Sequence, residues 1–159
     1  MPPESANLVF VPADPAVPPA SDLIDAMVTE MQGLYGIVGH VGVPLDLSEL
    51  APPGGVYLVG RAGPGDDVVA GGGLRTIAEG IGEIKRMYVV PAWRGRGAGA
   101  QLLAALEGAA RDLGLATVRL DTGPKQAGAR HLYEKSGYTS IDNYNGNDHA
   151  AFWGEKSLA

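Results

Sequence analysis

The chain has 159 residues, 45% of them apolar, and carries 18 Asp and Glu against 12 Lys and Arg, a formal charge of -6. That length suits one domain with a genuine core and the composition excludes a disordered chain, while the acidic balance argues against a general nucleic-acid binder. The absence of cysteine excludes disulfides, thiolate metal sites and a cysteine acyl intermediate.

The opening "MPPESANLVFVPADP" has neither a basic segment nor a long apolar core, so no signal peptide is expected. No apolar run approaches the ~20 residues that cross a bilayer. The expectation is a soluble, cytoplasmic protein without membrane or nucleic-acid partners; a homodimer is left open.

"NLVFVP" (7–12) reads as a short strand, and "SDLIDAMVTEMQGLYG" as a helix capped by Ser21, with Leu23, Met27, Met31 and Leu34 at helical spacing. The Gly- and Pro-rich stretch 36–53 reads as loop with one helical turn near "DLSELA". Residues 55–63, 67–78 and 80–90 read as an antiparallel meander, turning at "PGDD" and at Glu79–Gly80. After Pro91 the period changes. "GAGAQLLAALEGAARDLG" places Leu102, Leu103, Leu106, Ala110 and Leu113 on one helical face, stopped by Gly114. "ATVRLDT" is a strand and "KQAGARHLYEKSG" a helix with Ala129, Leu132 and Tyr133 inward. "YTSI" and "AAFWGEKSL" are the last strands, joined by "DNYNGND". This order predicts one mixed sheet covered by helices.

The stretch "PAWRGRGAG" (91–99) stands out. Residues 85–100 hold four basic side chains and no acidic one, and the following helix begins without a Ser, Thr, Asp or Asn cap. Glycines let the backbone approach a ligand, exposed amides and the helix dipole attract an anion, and Arg94 and Arg96 add matching charge. A loop of solvated arginines is the bland alternative; the uncapped amphipathic helix favours phosphate binding. There is no G-x-x-x-x-G-K-[ST], so the loop is not a P-loop. Gly95, Gly97 and Ala100 do satisfy the dinucleotide pattern G-x-G-x-x-A, with Asp121 ending the next strand. The antiparallel meander before it and the 38 residues after Asp121 weigh against that reading.

Arg94-Gly95-Arg96-Gly97-Ala98-Gly99 resembles the R/Q-x-x-G-x-G/A signature of the GNAT N-acetyltransferase superfamily, and "AGARHLYEKSGY" is similar to its later A-x-x-L-Y-x-x-x-G-F/Y segment. The resemblance is specific over residues 83–138 and loose over the first 50. It implies a single GNAT domain over 1–159: a mixed α/β fold with a mostly antiparallel, twisted sheet of six or seven strands flanked by about four helices. It also implies acetyl-CoA as cosubstrate, its pyrophosphate on the amides of residues 95–99 and its pantetheine along Met87, Tyr88 and Val89. Members often have Asn seven residues before the tyrosine; here Gln126 stands there, which puts one contact to the cofactor arm in question.

Transfer to an amine needs a proton acceptor. Glu83 resembles the superfamily's base, acting through water; the alternative is an exposed carboxylate paired with Lys85. Period-two alternation would place Glu83, Lys85, Met87 and Val89 on one face unless a bulge shifts the register. Tyr133 resembles the general acid that protonates the departing thiolate; the alternative is a core aromatic. Without cysteine, direct transfer in a ternary complex is the natural course. His40, His131 and His149 have no ligand spacing, and "DNYNGNDHAAF" fails as a calcium loop, so no metal is expected. By analogy alone, Met31, Tyr35, His40, Tyr144 and Asn145 are the acceptor-site residues. The sequence thus points to an N-acetyltransferase acting on a small amine, amino acid or peptide terminus. A non-catalytic acyl-CoA sensor and a small nucleotide-binding module are the competing functions.

Overall fold

The computed structural model describes residues 7–40, 42–63 and 66–159. Seven strands occur among them: β1 (Val9–Pro12), β2 (Gly55–Ala62), β3 (Asp67–Ala78), β4 (Ile81–Val89), β5 (Thr117–Thr122), β6 (Thr139–Ser140) and β7 (Phe152–Ser157). They form one sheet in the order β1-β2-β3-β4-β5-β7-β6. Neighbours are antiparallel except β4 and β5, which run parallel. Three α-helices flank the sheet: α1 (Ala20–Tyr35), α2 (Ala98–Asp112) and α3 (Ala127–Lys135). Short 3-10 turns occur at Leu47–Leu50, where one helical turn was expected, and at Pro91–Trp93. The turn "PGDD" lies partly outside the described residues.

The sheet separates two cores. On one face Leu102, Leu103, Leu106 and Ala110 of α2 and Tyr133 of α3 pack with Leu74, Ile84, Val118, Leu120 and Phe152 of the strands. On the other, Leu23 and Ile24 of α1 and Leu50 pack on Tyr57 and Val59 of β2. The helical periods place these faces as expected, with two differences at helix ends. Leu34 and Leu113 are exposed, Leu34 in the last turn of α1 and Leu113 just after the end of α2. Helix α1 also starts one residue before Ser21, with Pro19 at the N-cap and no side-chain cap. Gly36, Gly114 and Gly137 lie just beyond the three helices with left-handed φ, as helix stops do.

The run Gly71-Gly72-Gly73 in β3 shows why this strand has so little side chain. A Cβ at Gly72 would press on Leu106 and Met87, and one at Gly73 would meet Leu50 at 2.6 Å. Helices lie close on both faces of this strand, and the missing side chains let them.

Strand β4 carries the feature that shapes the site. Gly71 pairs with Tyr88 and Gly73 with Lys85, so Gly72 opposes both Arg86 and Met87: a β-bulge. Arg86 has φ +60°. The bulge reverses the alternation, so that Glu83 and Lys85 share one face while Met87 and Val89 join the α2 side. The unbroken period of 83, 85, 87 and 89 is thereby replaced by the shifted one. Pairing of β4 with β5 covers only Ile81–Glu83 against Thr117–Arg119. Beyond it the two strands part.

Gly55 tests how tightly the sheet edge is built. A Cβ there would fall on the carbonyl oxygens of Glu49 and Leu74, which cannot rotate away, whereas Gly54 faces open space. Gly55→Ala is expected to lose about 2 kcal/mol, lowering Tm by roughly 4–8 °C. Gly54→Ala should leave Tm within about 1 °C. Equal melting temperatures for both variants, by differential scanning calorimetry, would contradict this packing.

Candidate functional site

A cleft of about 420 Å³ lies where β4 and β5 part. Lys85, Arg86 and Met87 of β4, Asp121 and Thr122 of β5, Met27, Met31 and Tyr35 of α1 and Tyr133 of α3 all line it. Its walls are largely apolar toward α1 and polar along the strands, the usual make-up of a small-molecule site. Thr122 Oγ1 is buried with no hydrogen-bond partner among the described residues, leaving a polar atom available at the cleft wall.

Immediately downstream of the strand's open edge comes the glycine–arginine loop. Gly95 (φ +77°) and Gly97 (φ +81°) adopt conformations that side chains disfavour, and Gly97 is the N-cap of α2 without any side-chain cap. The first intrahelical bond is Gln101 N–H to Gly97 O, so the amides of residues 98–100 precede the ladder and remain available to an anion. This geometry fits a phosphate. The two arginines differ from the simple expectation. Arg94 donates from both terminal nitrogens to Glu30 of α1, at 2.8 and 2.7 Å, and from Nε to Val89 O at 3.0 Å. It is a strut between α1 and the loop. Arg96 lies over the Trp93 ring at 4.7 Å and has no ion pair among the described residues, so it is the cation the loop offers.

Glu83 is wholly buried. Its Oε1 accepts from Arg75 Nε at 3.0 Å and pairs with Nη2 at 2.8 Å. Its Oε2 accepts from Tyr144 OH at 2.6 Å and Asn145 Nδ2 at 3.1 Å, with Lys85 Nζ at 3.7 Å. Burial acts to raise its pKa, but Lys85, the bonds from Tyr144 and Asn145, and Arg75 together outweigh it and hold the carboxyl below its ordinary range. The pair with Lys85 is present, though buried where the sequence alternative had it exposed. The network extends on: Arg75 also pairs with Glu49, Lys85 with Asp121, and Asp121 Oδ2 accepts from Asn145 and Asn147. Glu83 is thus the centre of a charge network that ties β3, β4, β5 and the β6–β7 loop together. It faces a second, shallow cleft bordered by Tyr144 and Asn145, beside the main one.

Tyr133 is buried beneath the cleft, edge-on to Tyr138, and its hydroxyl donates to Met87 Sδ at 3.8 Å. Burial, helped by the Asp121 charge, pushes its phenol well above the ordinary value, so it stays protonated at neutral pH. Sulfur is a weak acceptor, and the proton is not committed to a stronger one. Gln126 stands at the N-cap position of α3 without a side-chain cap; its Oε1 instead accepts from Gly123 N at 2.9 Å and from Tyr35 OH at 3.1 Å. It therefore fastens α1 to the β5–α3 loop.

The sequence-derived positions fall into groups. Met31, Tyr35, Met87, Gln126 and Tyr133 come together at the main cleft. Tyr144 and Asn145 belong to the Glu83 network, and His40 is exposed outside the cleft. Tyr88 packs on the α1 side and carries Arg94 over its ring at 5.4 Å; Val89 packs on the α2 side. Sequence reasoning passed over Arg86, Asp121 as a cleft residue, and His149, which lines the main cleft. The adjacent cations of "KRM" were a usable signal, because two neighbours in a regular strand cannot face the same cleft. His149 gave none, since its loop has no period. No group of His, Asp and Glu suited to a metal occurs among the described residues, and no helix there is long and apolar enough to cross a membrane. With one parallel strand pair, the sheet is not the doubly wound type, and the dinucleotide reading falls.

Comparison with known proteins agrees with this geometry. The model of the Acetyltransferase (GNAT) family matches residues 25–138. An IAA acetyltransferase of Azospirillum brasilense is 42% identical over 95 residues, 59% of this chain; the match spans about three fifths of that relative's length, 61%. A candidate acyl-CoA N-acyltransferase of Klebsiella pneumoniae has a similar structure, with TM-score 0.81 and 31% identity, covering 96% of this chain and 98% of the other. The PaiA N-acetyltransferase of Thermoplasma acidophilum, solved with coenzyme A, shares the fold at TM-score 0.67 and 17% identity, over 95% of this chain and 99% of its own.

The Glu83 network makes a prediction about stability. Its lowered pKa means that its contribution is complete above the ordinary carboxyl value and is lost as pH falls below that value through the folded one. Glu83→Gln is expected to cost about 2 kcal/mol at pH 7, less than a bare buried charge would, because Arg75 and Lys85 keep other partners. The deficit should narrow below about pH 4, where Glu83 of the unfolded chain takes up a proton that the folded carboxyl still resists. Urea denaturation at pH 7 and pH 3 checks this; identical stability at pH 7 would refute the network's role.

Proposed function

The chain belongs to the acetyltransferase (GNAT) family, and on that premise we propose that it transfers an acetyl group from acetyl-CoA to a primary amine by direct attack in a ternary complex. The uncapped, glycine-rich start of α2, just beyond the point where β4 parts from β5, carries this reading. The amides of residues 98–100 and Arg96 would take the pyrophosphate, and the open edge at Met87–Val89 would run beside the pantetheine. That route leads the thioester toward Tyr133, whose protonated hydroxyl suits it to give a proton to the departing thiolate. Arg94 and Gln126 support the site by bracing α1. Glu83, expected as the base acting through water, has both oxygens held by donors, and this reading therefore gives it the part of an electrostatic anchor. The attacking amine then loses its proton to water.

The direct test is thiol release from acetyl-CoA over a panel of primary amines, with coenzyme A binding measured alongside. Binding without turnover of any amine would favour an acyl-CoA sensor. Absence of both would sink the proposal.

Two substitutions examine its parts. Gly97→Asp adds bulk and negative charge at the cradle; Asp tolerates a left-handed φ better than most side chains, and its carboxylate suits a helix N-terminus. Coenzyme A affinity is expected to fall by about 2 kcal/mol or more, with the helix retained. Unchanged affinity by calorimetry in the folded variant would displace the pyrophosphate from this loop. Tyr133→Phe removes one hydroxyl and keeps the ring's packing. A fall in kcat of ~10- to 10²-fold with coenzyme A affinity little changed is expected, smaller for a thioester with a more acidic leaving thiol. Equal kcat for variant and wild type would leave Tyr133 a packing residue.

A further inference from the structure

Arg86 stands where its residue type is disfavoured. Its φ of +60° belongs to the left-handed region, which glycine accepts freely and Asn or Asp tolerate, but a long side chain does not. It is the extra residue of the bulge, so no strand partner fixes it. Its guanidinium is half-buried, lines the main cleft, and makes no hydrogen bond or ion pair among the described residues. Burial lowers its pKa, and the charges acting on it are Asp121, Arg75 and Glu83. Asp121 makes no ion pair with it; the contacts of that carboxylate, all at Oδ2, are with Lys85, Asn145 and Asn147. A desolvated cation with no direct hydrogen-bonded or ion-paired partner, held in a strained backbone conformation at a cleft, is poised for an anion.

That anion is not expected to be the cofactor's phosphate. The anion-ready amides lie at residues 98–100, and the groups acting on Arg86 belong to the network on the Glu83 side, the opposite face from Met87. Met27, Met31, Ile37 and Val43 line the same cleft and offer an apolar wall. We infer that Arg86 is a specificity-determining residue that binds the carboxylate of the acceptor, and that the acceptor class is a primary amine bearing a carboxylate and an apolar body, such as an apolar amino acid. The inference rests on the acetyl-transfer reading of this cleft. A planar guanidinium fork matches a carboxylate in two parallel hydrogen bonds, and the dry surroundings strengthen them.

The test measures binding separately from turnover. N-acetyl derivatives of leucine, methionine and phenylalanine, each beside its uncharged amide, are titrated against wild type, Arg86→Gly and Arg86→Gln by calorimetry. Wild type is expected to prefer at least one carboxylate over its amide by ~10-fold or more, and both variants by less than about twofold. Coenzyme A affinity should stay within about twofold, since the cradle amides are untouched. Arg86→Gly should melt no lower than wild type, because glycine accepts φ +60° without strain, so lost binding cannot be put down to unfolding. The inference is overturned if wild type does not discriminate, if the variants still do, or if coenzyme A affinity falls as far as carboxylate affinity. Discrimination with no turnover on the amine panel supports the carboxylate site and removes only the transfer reading; turnover without discrimination removes this inference alone.

Discussion

Everything specific about this molecule depends on one extra residue in β4. Up to Glu83 the strand lies beside β5 in parallel register. At Arg86 the bulge inserts an unpaired residue, turns the chain and reverses which side chains face which helix. A regular strand would have continued the ladder and buried its amides against β5. Because it does not, backbone and side chains of residues 85–87 border a cleft between the strands. The separation also gives the cleft two walls of different chemistry, with Met87 and Tyr133 on one side and Lys85 and the Glu83 network on the other.

Parting two central strands removes hydrogen bonds from the middle of a sheet, and the fold compensates in two ways. Near the point of separation, Glu83, Arg75, Lys85 and Asp121 form a buried network whose charges are each met by at least one partner. Such a network adds little net stability over an apolar core, but it is costly to disturb and therefore fixes geometry. Away from the cleft, the Gly71–Gly73 run lets helices pack closely on both faces of β3, the neighbour that must hold β4 in place. Arg94 to Glu30 and Gln126 to Tyr35 then tie α1 to elements on either side of the opening.

The same arrangement explains how roles are divided among polar residues of similar sequence prominence. Arg94 and Arg96 are two residues apart, yet one is consumed by a bidentate pair and the other is left for a ligand. Glu83 is surrounded by donors, while Arg86, three residues on, has no hydrogen-bond acceptor among the described residues. Local composition does not distinguish these cases. Partners that arrive from α1, β3 and the β6–β7 loop do.

The sequence by itself determined the elements and the cradle, because both rest on local physics. Helical and strand periods placed every element of the sheet and its helices to within a few residues, and the cap-free, glycine-rich helix start marks a candidate anion site from local sequence alone. The family resemblance over residues 83–138 pointed the same way. Tertiary structure alone decided which charges are spent and which are available. The burial of Glu83 depends on Arg75, Tyr144 and Asn145, and Tyr144 lies 61 residues away along the chain. The approach of His149 to the cleft depends on a loop without periodicity. The reversal at Arg86 depends on β3, where one residue must oppose two. Pairing across such distances is set by how the layers pack, and no window of sequence contains both partners.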